Sequence, residues 1–502
     1  MSLTLEFVEK DYDNLKRIAK IELDKKNYND CINLISCAAN IAYHLNFKFY
    51  DDEFEDYLKS ISYNLIENID FGVISGRWVF YDSFGLDNRG LTQQYLNALD
   101  DMKVEYLYIL ETYRSDKEHK DIINQVKNNP RAEIYINDSS LDFKVQIMNI
   151  IKVLESYKPE KALLHFTPWK CLSIVLWNRL NFIERYFINL TDHAFWLGKN
   201  SFDFSLEARE YGIYFSNKFR YIDRNKLLLS KFYPIINEKE FLGFPQEVKN
   251  KIKIFSGGTY YKIYGSNDLY FDIVKKILLK YDNTVLLFAG SGDDKPLREF
   301  IKTNNFQRRI FLLGHRSDIN EVIKNSDIYL NTYPLGGGLL TQYALLNSIP
   351  VIGFGDSDLP MSFTETMTYK KGIKCTYTDL NIFYEEFNCI INNYKEISYD
   401  KNIVSPSREE FLDNFKKLVF SKNKIENLEI EDFNFNKQRF FKLYLEQENN
   451  YLKQYDLIKF RRMGISYFKY DFFNAVLSAL RIMVNNKHLI KKKLIKLLRV
   501  NS

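Results

Sequence analysis

The chain has 502 residues, of which 46% are hydrophobic and 27% charged, a balance that excludes general disorder and collagen-like repeats and leaves room for about two to four domains. Its 70 basic and 65 acidic residues leave a formal charge of +5, a small difference between large mixed populations that outlines no nucleic-acid footprint. Aromatic residues reach 16%, with 40 Phe, 36 Tyr and only 4 Trp; they are scattered throughout, which reads as compositional bias and not as a stacking surface.

The five cysteines, Cys31, Cys37, Cys171, Cys375 and Cys389, are too few for a disulfide framework. None lies in a CxxC pair or beside a histidine at ligand spacing, so a reducing, cytoplasmic location is expected. The start MSLTLEFVEKDYDNLKR carries acids at once and lacks the apolar core of a signal peptide. No run approaches the ~18 apolar residues of a membrane span.

In residues 1–72 the apolar positions Cys31, Leu34, Ile35, Ala38, Ala42 and Leu45 recur at helical spacing, predicting a small helical domain. The stretch KNYNDCINLISCAANIAYHL has the small-residue rhythm of one tetratricopeptide-type hairpin, and a single copy does not make a solenoid. From Trp78 the texture changes to short apolar runs separated by helical stretches: WVFY (78–81), VEYLYIL (104–110), AEIYI (132–136), ALLHF (162–166), RYFINL (185–190) and GIYFS (212–216). The alternation pauses between Pro234 and Pro245 and resumes with IKIFSG (252–257), TVLLFAG (284–290), RIFLLG (309–314), DIYLNT (327–332) and IPVIGF (349–354). Strands alternating with helices predict two successive α/β doubly wound units with parallel sheets, and ligands bind such sheets beyond the carboxyl ends of their strands. Beyond residue 425 the pattern is helical again and ends in a basic amphipathic tail, residues 487–502. Ile490, Leu494, Leu497 and Leu498 fall on one helical face with Lys491, Lys492, Lys496 and Arg499 mostly on the other. The tail is read either as a terminal helix docked on the body or as a peripheral contact with the inner face of a membrane.

The densest glycine signal is NTYPLGGGLLTQYALLNSIPVIGF, where a strand ends at Thr332 and a helix begins near Leu339 or Leu340. Gly336, Gly337 and Gly338 admit close backbone approach, and the free N–H groups and dipole of the next helical turn favour an anion such as a diphosphate, with Thr341 as a hydroxyl donor. The competing reading is a loose turn before a packed helix. A second turn, IFSGGTYYKIYG, puts Gly257, Gly258 and Thr259 at another strand end with Lys262 just beyond, either as a cation for the same diphosphate or as a surface lysine. In the first unit Asp192 and His193 directly follow an apolar run. A histidine there is a candidate general base, against the alternative of a hydrogen-bonded structural histidine. Asp356-Ser357-Asp358 and Asp11-Tyr12-Asp13 match the short acid-x-acid pattern of metal-dependent transferases. No P-loop, HExxH or nucleophile-elbow sequence is present.

Over residues 185–360 the segments FWLG (195–198), YYKI (260–263), RRIFLLGHRSDINEVIKNSDIYLNT and GGGLLTQYALLNSIPVI resemble GT-B glycosyltransferases, in particular the O-linked N-acetylglucosamine transferases and bacterial protein- and polysaccharide-glycosylating relatives. The resemblance implies a GT-B fold, two Rossmann-like domains facing a crevice, with helical N- and C-terminal extensions. The spans expected are a helical domain at 1–72, an acceptor-side domain at 73–240, a nucleotide-sugar domain at 241–424 and C-terminal helices at 425–502. It implies that Lys262 and Gly337 to Thr341, Gly338 and Leu340 included, hold the diphosphate, and that His315 and Arg316 hold the nucleotide base; Gly258, Thr259 and Gly336 join the expected donor site from their places in the two glycine turns. Those relatives carry a histidine just after the glycine and an aspartate five residues later; aligned on Pro350, Gly338 and Tyr343 stand there.

The expected activity is therefore metal-independent, cofactor-free transfer of a hexose or N-acetylhexosamine from a nucleotide diphosphate sugar, UDP-sugars favoured, to a protein or glycan acceptor. His193 and Asp192 are the expected catalytic residues. A non-catalytic, partner-binding subunit of the same fold and a nucleotide-sugar 2-epimerase are the alternatives.

Overall fold

The computed structural model describes residues 4–485 with the exception of 86–89, 190, 237, 238, 422–431, 448, 464 and 465. The basic tail 487–502 lies outside the described residues.

Two wholly parallel sheets organise the chain. The first contains β1 (Ile74–Asp82), β2 (Glu105–Leu110), β3 (Ala132–Ile136), β4 (Pro159–His165), β5 (Glu184–Asn189), β6 (Phe204–Glu207) and β7 (Leu227–Leu229), in the order β3-β2-β1-β4-β5-β6-β7. The second contains β8 (Ile252–Thr259), β9 (Thr284–Ser291), β10 (Ile310–Gly314), β11 (Ile328–Leu330), β12 (Val351–Phe354) and β13 (Thr376–Tyr377), in the order β10-β9-β8-β11-β12-β13. Both orders reverse direction once, between β1 and β4 and between β8 and β11, which makes each sheet doubly wound. Alternate residues feed opposite faces: Ile254, Leu286 and Ile328 enter one core while Phe255, Leu287 and Tyr329 enter the other.

The run GIYFS, expected as a strand, is part of the helix Glu210–Arg220. Tyr211, Gly212, Ile213 and Phe215 are all buried there, so the helix has no polar stripe to reveal its period, and a short buried run reads the same in either conformation. The strands that complete the first sheet are instead the short β6 and β7.

The helices Leu5–Asp24, Tyr28–Leu45 and Asp52–Leu65 pack on the first sheet through one continuous core shared with Val79, Tyr81, Leu107 and Ile109. The helical periodicity is physical: Cys31, Leu34, Ile35, Ala38, Ala42 and Leu45 are all buried. The C-terminal helices Lys437–Gln447 and Asn449–Met463 enter the same core through Phe440, Tyr444 and Met463. A buried ion pair fixes this layer, because Lys459 donates to both oxygens of Asp11 at 2.7 Å and Tyr455 donates to Asp11 at 2.6 Å. The helix Arg408–Phe420, started by a Ser407–Glu410 capping box, lies within the 241–424 span yet packs Phe411, Phe415 and Val419 on Trp78 of the first sheet and on Tyr95 of the helix Leu91–Asp101 that covers it. The chain thus returns to its first half after completing the second, and the whole is a GT-B architecture.

Carboxyl ends of the two sheets meet. Arg209, just beyond β6, donates from Nη1 to Thr366 Oγ1 at 3.3 Å, and Thr366 lies in the 3-10 turn Thr364–Met367 beyond β12. Lys231 adds donations to the carbonyls of Thr368 and Tyr369. Leu335 and Met361 of the second half enter the first half's core.

Glu55 ties the N-terminal helices to the loop after β5. Its Oε1 accepts the N–H groups of Gly198 and Lys199 at 2.6 and 3.3 Å, and burial pushes its carboxyl from 4.5 up to about 7 against the pull of those donors. The folded protein therefore holds this proton more tightly than the unfolded chain does. The associated stability is fully present below pH 4.5 and is lost as pH rises through about 7. From about pH 5 to about pH 8 the wild type should lose about 2–3 kcal/mol of unfolding free energy relative to Glu55→Gln, whose side chain keeps the acceptor and cannot ionise. Urea titrations of the two proteins at several pH values check this; parallel pH profiles would rule it out.

Candidate functional site

The two glycine turns flank the reversal point of the second sheet. At the end of β8, Gly258 pairs with Gly290 of β9, and a Cβ on Gly290 would stand 2.2 Å from the Gly258 carbonyl oxygen. The strands can lie this close only because Gly290 carries no side chain there. Gly258 also takes φ +133°, which turns Thr259 into the 3-10 turn Tyr260–Ile263. That turn delivers Lys262, whose Nζ donates to the Gly336 carbonyl at 3.4 Å.

Gly336 belongs to the neighbouring strand end, and its turn is built by Asn331. One oxygen, Asn331 Oδ1, accepts from Thr332 N at 2.9 Å, Gly337 N at 2.8 Å and Tyr329 OH at 3.1 Å. Asn331 Nδ2 donates to Thr364 Oγ1 at 2.9 Å. Gly337 then starts the helix Gly338–Leu346, and no side chain caps it. An uncapped helix start presents N–H groups and the positive end of the helix dipole. The remaining glycines admit a close neighbour: Cβ atoms would stand 2.5 Å from Thr364 Cγ2 at Gly336 and 2.9 Å from Met367 Cγ at Gly338. Leu340 is half-buried over Gly257. Thr341 is fully buried, and its hydroxyl donates to Thr364 Oγ1 at 3.1 Å. It supports the turn from beneath.

His315 is exposed at the end of β10. Arg316 is fully engaged, donating to both oxygens of Asp318 at 2.7 and 2.6 Å and to the Gly243 carbonyl at 2.9 Å. Those Arg316 bonds lower the Asp318 carboxyl to about 2, against its burial.

Across the crevice, Asp192 is buried and takes a bidentate contact from Arg209, Nε to Oδ2 at 2.5 Å and Nη2 to Oδ1 at 3.0 Å. Burial opposes its charge, and the Arg209 guanidinium outweighs burial, holding the carboxyl well below the usual carboxylate range. His193 Nδ1 lies 2.9 Å from Asp192 Oδ1, and its side chain is 33% exposed. An ionised carboxylate at Nδ1 selects the tautomer with hydrogen on that nitrogen, leaving the Nε2 lone pair available to a substrate.

The turn Thr364–Met367 joins these pieces: Thr364 bonds Asn331 and Thr341, Met367 packs on Gly338, and Thr366 accepts from Arg209. Lys262 and Gly336–Gly338 form one cluster, which this turn connects to Asp192 and His193. His315 and Arg316 lie apart at β10. Asn331, Thr364 and Arg209 are the residues sequence reasoning missed; the only hint was Asn331, an asparagine near the end of the apolar run DIYLNT. Asp356 and Asp358 are both ion-paired to Arg439, at 2.7 and 2.6 Å, and Asp11 to Lys459. Among the described residues no group of three or more His, Cys, Asp or Glu side chains is arranged to hold a metal ion.

By sequence the chain matches no family model and no curated protein. By structure it is similar to a mutant O-GlcNAc transferase of Thermobaculum terrenum, at 12% identity and TM-score 0.44, over 96% of this chain and 81% of that one. It is also similar to a putative UDP-N-acetylglucosamine 2-epimerase of Listeria monocytogenes, at 11% identity and TM-score 0.47, over 72% of this chain and 100% of that one. HepE of Anabaena, in complex with UDP and glucose, is similar at 10% identity and TM-score 0.44, over 73% and 97% of the respective chains.

Asn331→Ala strands the Thr332 and Gly337 N–H groups without their acceptor and takes a partner from Thr364. It should lower unfolding free energy by about 2–4 kcal/mol. Chemical denaturation measures this, and a loss below about 0.5 kcal/mol, within the range of ordinary surface changes, would show that the glycines alone hold the turn.

Proposed function

We propose that this chain is a glycosyltransferase moving a hexose or N-acetylhexosamine from a nucleotide diphosphate sugar, preferentially a UDP-sugar, to a hydroxyl of a protein or glycan acceptor. The observation that carries the reading is the uncapped start of the helix Gly338–Leu346 with Lys262 Nζ 3.4 Å from Gly336 O. Helix dipole, open N–H groups and an ammonium converge there, at the reversal point where doubly wound sheets bind ligands.

In the proposed reaction the acceptor oxygen bonds to the anomeric carbon as the bond from that carbon to the diphosphate breaks, and the nucleotide diphosphate leaves with the electron pair. Lys262 and the helix start stabilise the charge that develops on the leaving group. His193 Nε2 takes the acceptor proton, and Asp192 stabilises the imidazolium that results. His315 is assigned to the nucleotide base, with Arg316 shaping its loop through Asp318 and Gly243. No metal or cofactor is assigned a part in this reading.

Calorimetry with UDP should show binding by the wild type and at least about tenfold weaker binding by Lys262→Ala, the loss expected for one charge-assisted contact. His193→Ala should keep UDP binding and lose about a hundredfold or more in transfer rate. Absence of UDP, GDP and nucleotide-sugar binding by the wild type would sink the proposal. Nucleotide binding without turnover on any donor would identify a non-catalytic subunit, and interconversion of a UDP-sugar without acceptor would identify an epimerase.

A further inference from the structure

The last described helix, Phe472–Asn485, is amphipathic in the inverse sense. It docks on the body through small residues, Ala475 and Ser478, both buried; Ser478 Oγ donates to Asp456 Oδ1 at 2.6 Å and lies 3.2 Å from Tyr467 OH. Its large apolar residues point away from the body. Phe473 is 80% exposed, Phe472 61%, and Leu477, Leu480 and Met483 49% each. Phe473, Leu477 and Leu480 stand at the i, i+4, i+7 spacing of one face, and the Phe472 ring continues the patch to Phe468 at 6.3 Å between centroids. A helix that served only to cover the body would turn these residues inward.

We infer that this face is a membrane-interface anchor whose partner is an anionic lipid surface. The argument for lipid is charge. From Phe472 to Ser502 the sequence holds no aspartate or glutamate and seven lysines and arginines; Arg481 pairs with Asp456, and the other six, Lys487, Lys491, Lys492, Lys493, Lys496 and Arg499, follow the helix. An exposed aromatic and aliphatic face followed by cations alone is the composition of helices that lie in the plane of a bilayer surface. Cations near an anionic leaflet add to the hydrophobic term and make the attachment salt-sensitive. Among the described residues no helix is long and apolar enough to cross a membrane. The inference does not depend on the proposed transferase activity.

The test uses the full chain and vesicles of phosphatidylcholine, alone or mixed with phosphatidylglycerol. The wild type should sediment with the mixed vesicles at low salt, and less at high salt or with phosphatidylcholine alone. Phe473→Glu/Leu477→Glu, two exposed positions, should weaken the partitioning by about tenfold or more at unchanged circular dichroism. Should that variant misfold, Phe473→Trp provides the second readout: the emission it adds to that of the wild type should shift to the blue when phosphatidylglycerol vesicles are added. No sedimentation by the wild type, equal partitioning by the double variant, or an unshifted added emission in the Phe473→Trp protein each overturns the inference. So does a wild-type dimer in light scattering that the double variant breaks, which would give the face to a second copy of the chain.

Discussion

Everything at the crevice hangs on one buried carboxamide. Asn331 has one oxygen and three donors on it, from the backbone on both sides of the Gly336 turn and from Tyr329 below. A buried acceptor so loaded has no competing geometry, because moving it leaves several donors unpaired at about 1–3 kcal/mol each. Its nitrogen extends the constraint to Thr364. The direction in which the chain leaves β11, the start of the Gly338–Leu346 helix and the seat of the Thr364–Met367 turn are therefore one decision. The turn in turn meets Arg209, so the alignment of the two halves is referred to the same residue.

The wall opposite contains two buried carboxylates with opposite fates. Asp192 meets the Arg209 guanidinium directly and stays ionised. Glu207 accepts only from neutral groups, Asn189, Ser205 and Ser216. Burial raises its carboxyl despite the charge of Arg220 nearby, and burial lowers Arg220 to about 10. Environments that push two acids of one site apart are how a protein assigns roles to them. The ionised one carries His193; the raised one sits under Gly212, where a Cβ would stand 2.7 Å from Glu207 Oε2, and ties Asn189, Ser205 and Ser216 together. Removing Arg209 would leave Asp192 a buried charge without its partner, at about 3–5 kcal/mol, so the cation that bridges the halves also maintains the charge beside His193.

The two sheets were legible because parallel strands covered on both faces are continuous apolar runs, and ten of the eleven runs named from sequence fall on strands, GIYFS being the exception. β6, β7 and β13, of four, three and two residues, were not legible; β11 and β12 are as short and were legible because their residues sit in continuous apolar runs, whereas β6 and β13 interleave polar residues. The glycine turns were visible because glycine is rare enough in this chain, 20 of 502 residues, for a run of three to stand out. What holds them was not visible: Asn331, Thr364 and Arg209 act through contacts between residues 33 and 157 positions apart. The return of Arg408–Phe420 to the first sheet was hidden for a related reason, since an amphipathic helix declares that it has a partner and not which one.

Glycines also explain why a phosphate cradle and a packing device look alike in sequence. Gly336 and Gly338 are demanded by the approach of Thr364 and Met367, and Gly290 by the Gly258 carbonyl; each needs only protein atoms to account for it. The start of the Gly338–Leu346 helix has no side-chain cap; other helices, Tyr28–Leu45, Leu91–Asp101 and Glu210–Arg220 among them, also start without one, whereas Asp51, Asp142, Asp379 and Ser407 cap theirs, and what sets this start apart is Lys262, whose Nζ lies 3.4 Å from the Gly336 carbonyl oxygen. A cap there would occupy the N–H groups that an anion uses, and an acidic cap would repel it from Lys262. Glycine at that position keeps those donors clear of a side chain, so in the proposed reading it is the missing cap together with Lys262, more than the number of glycines, that suits the turn to an anion.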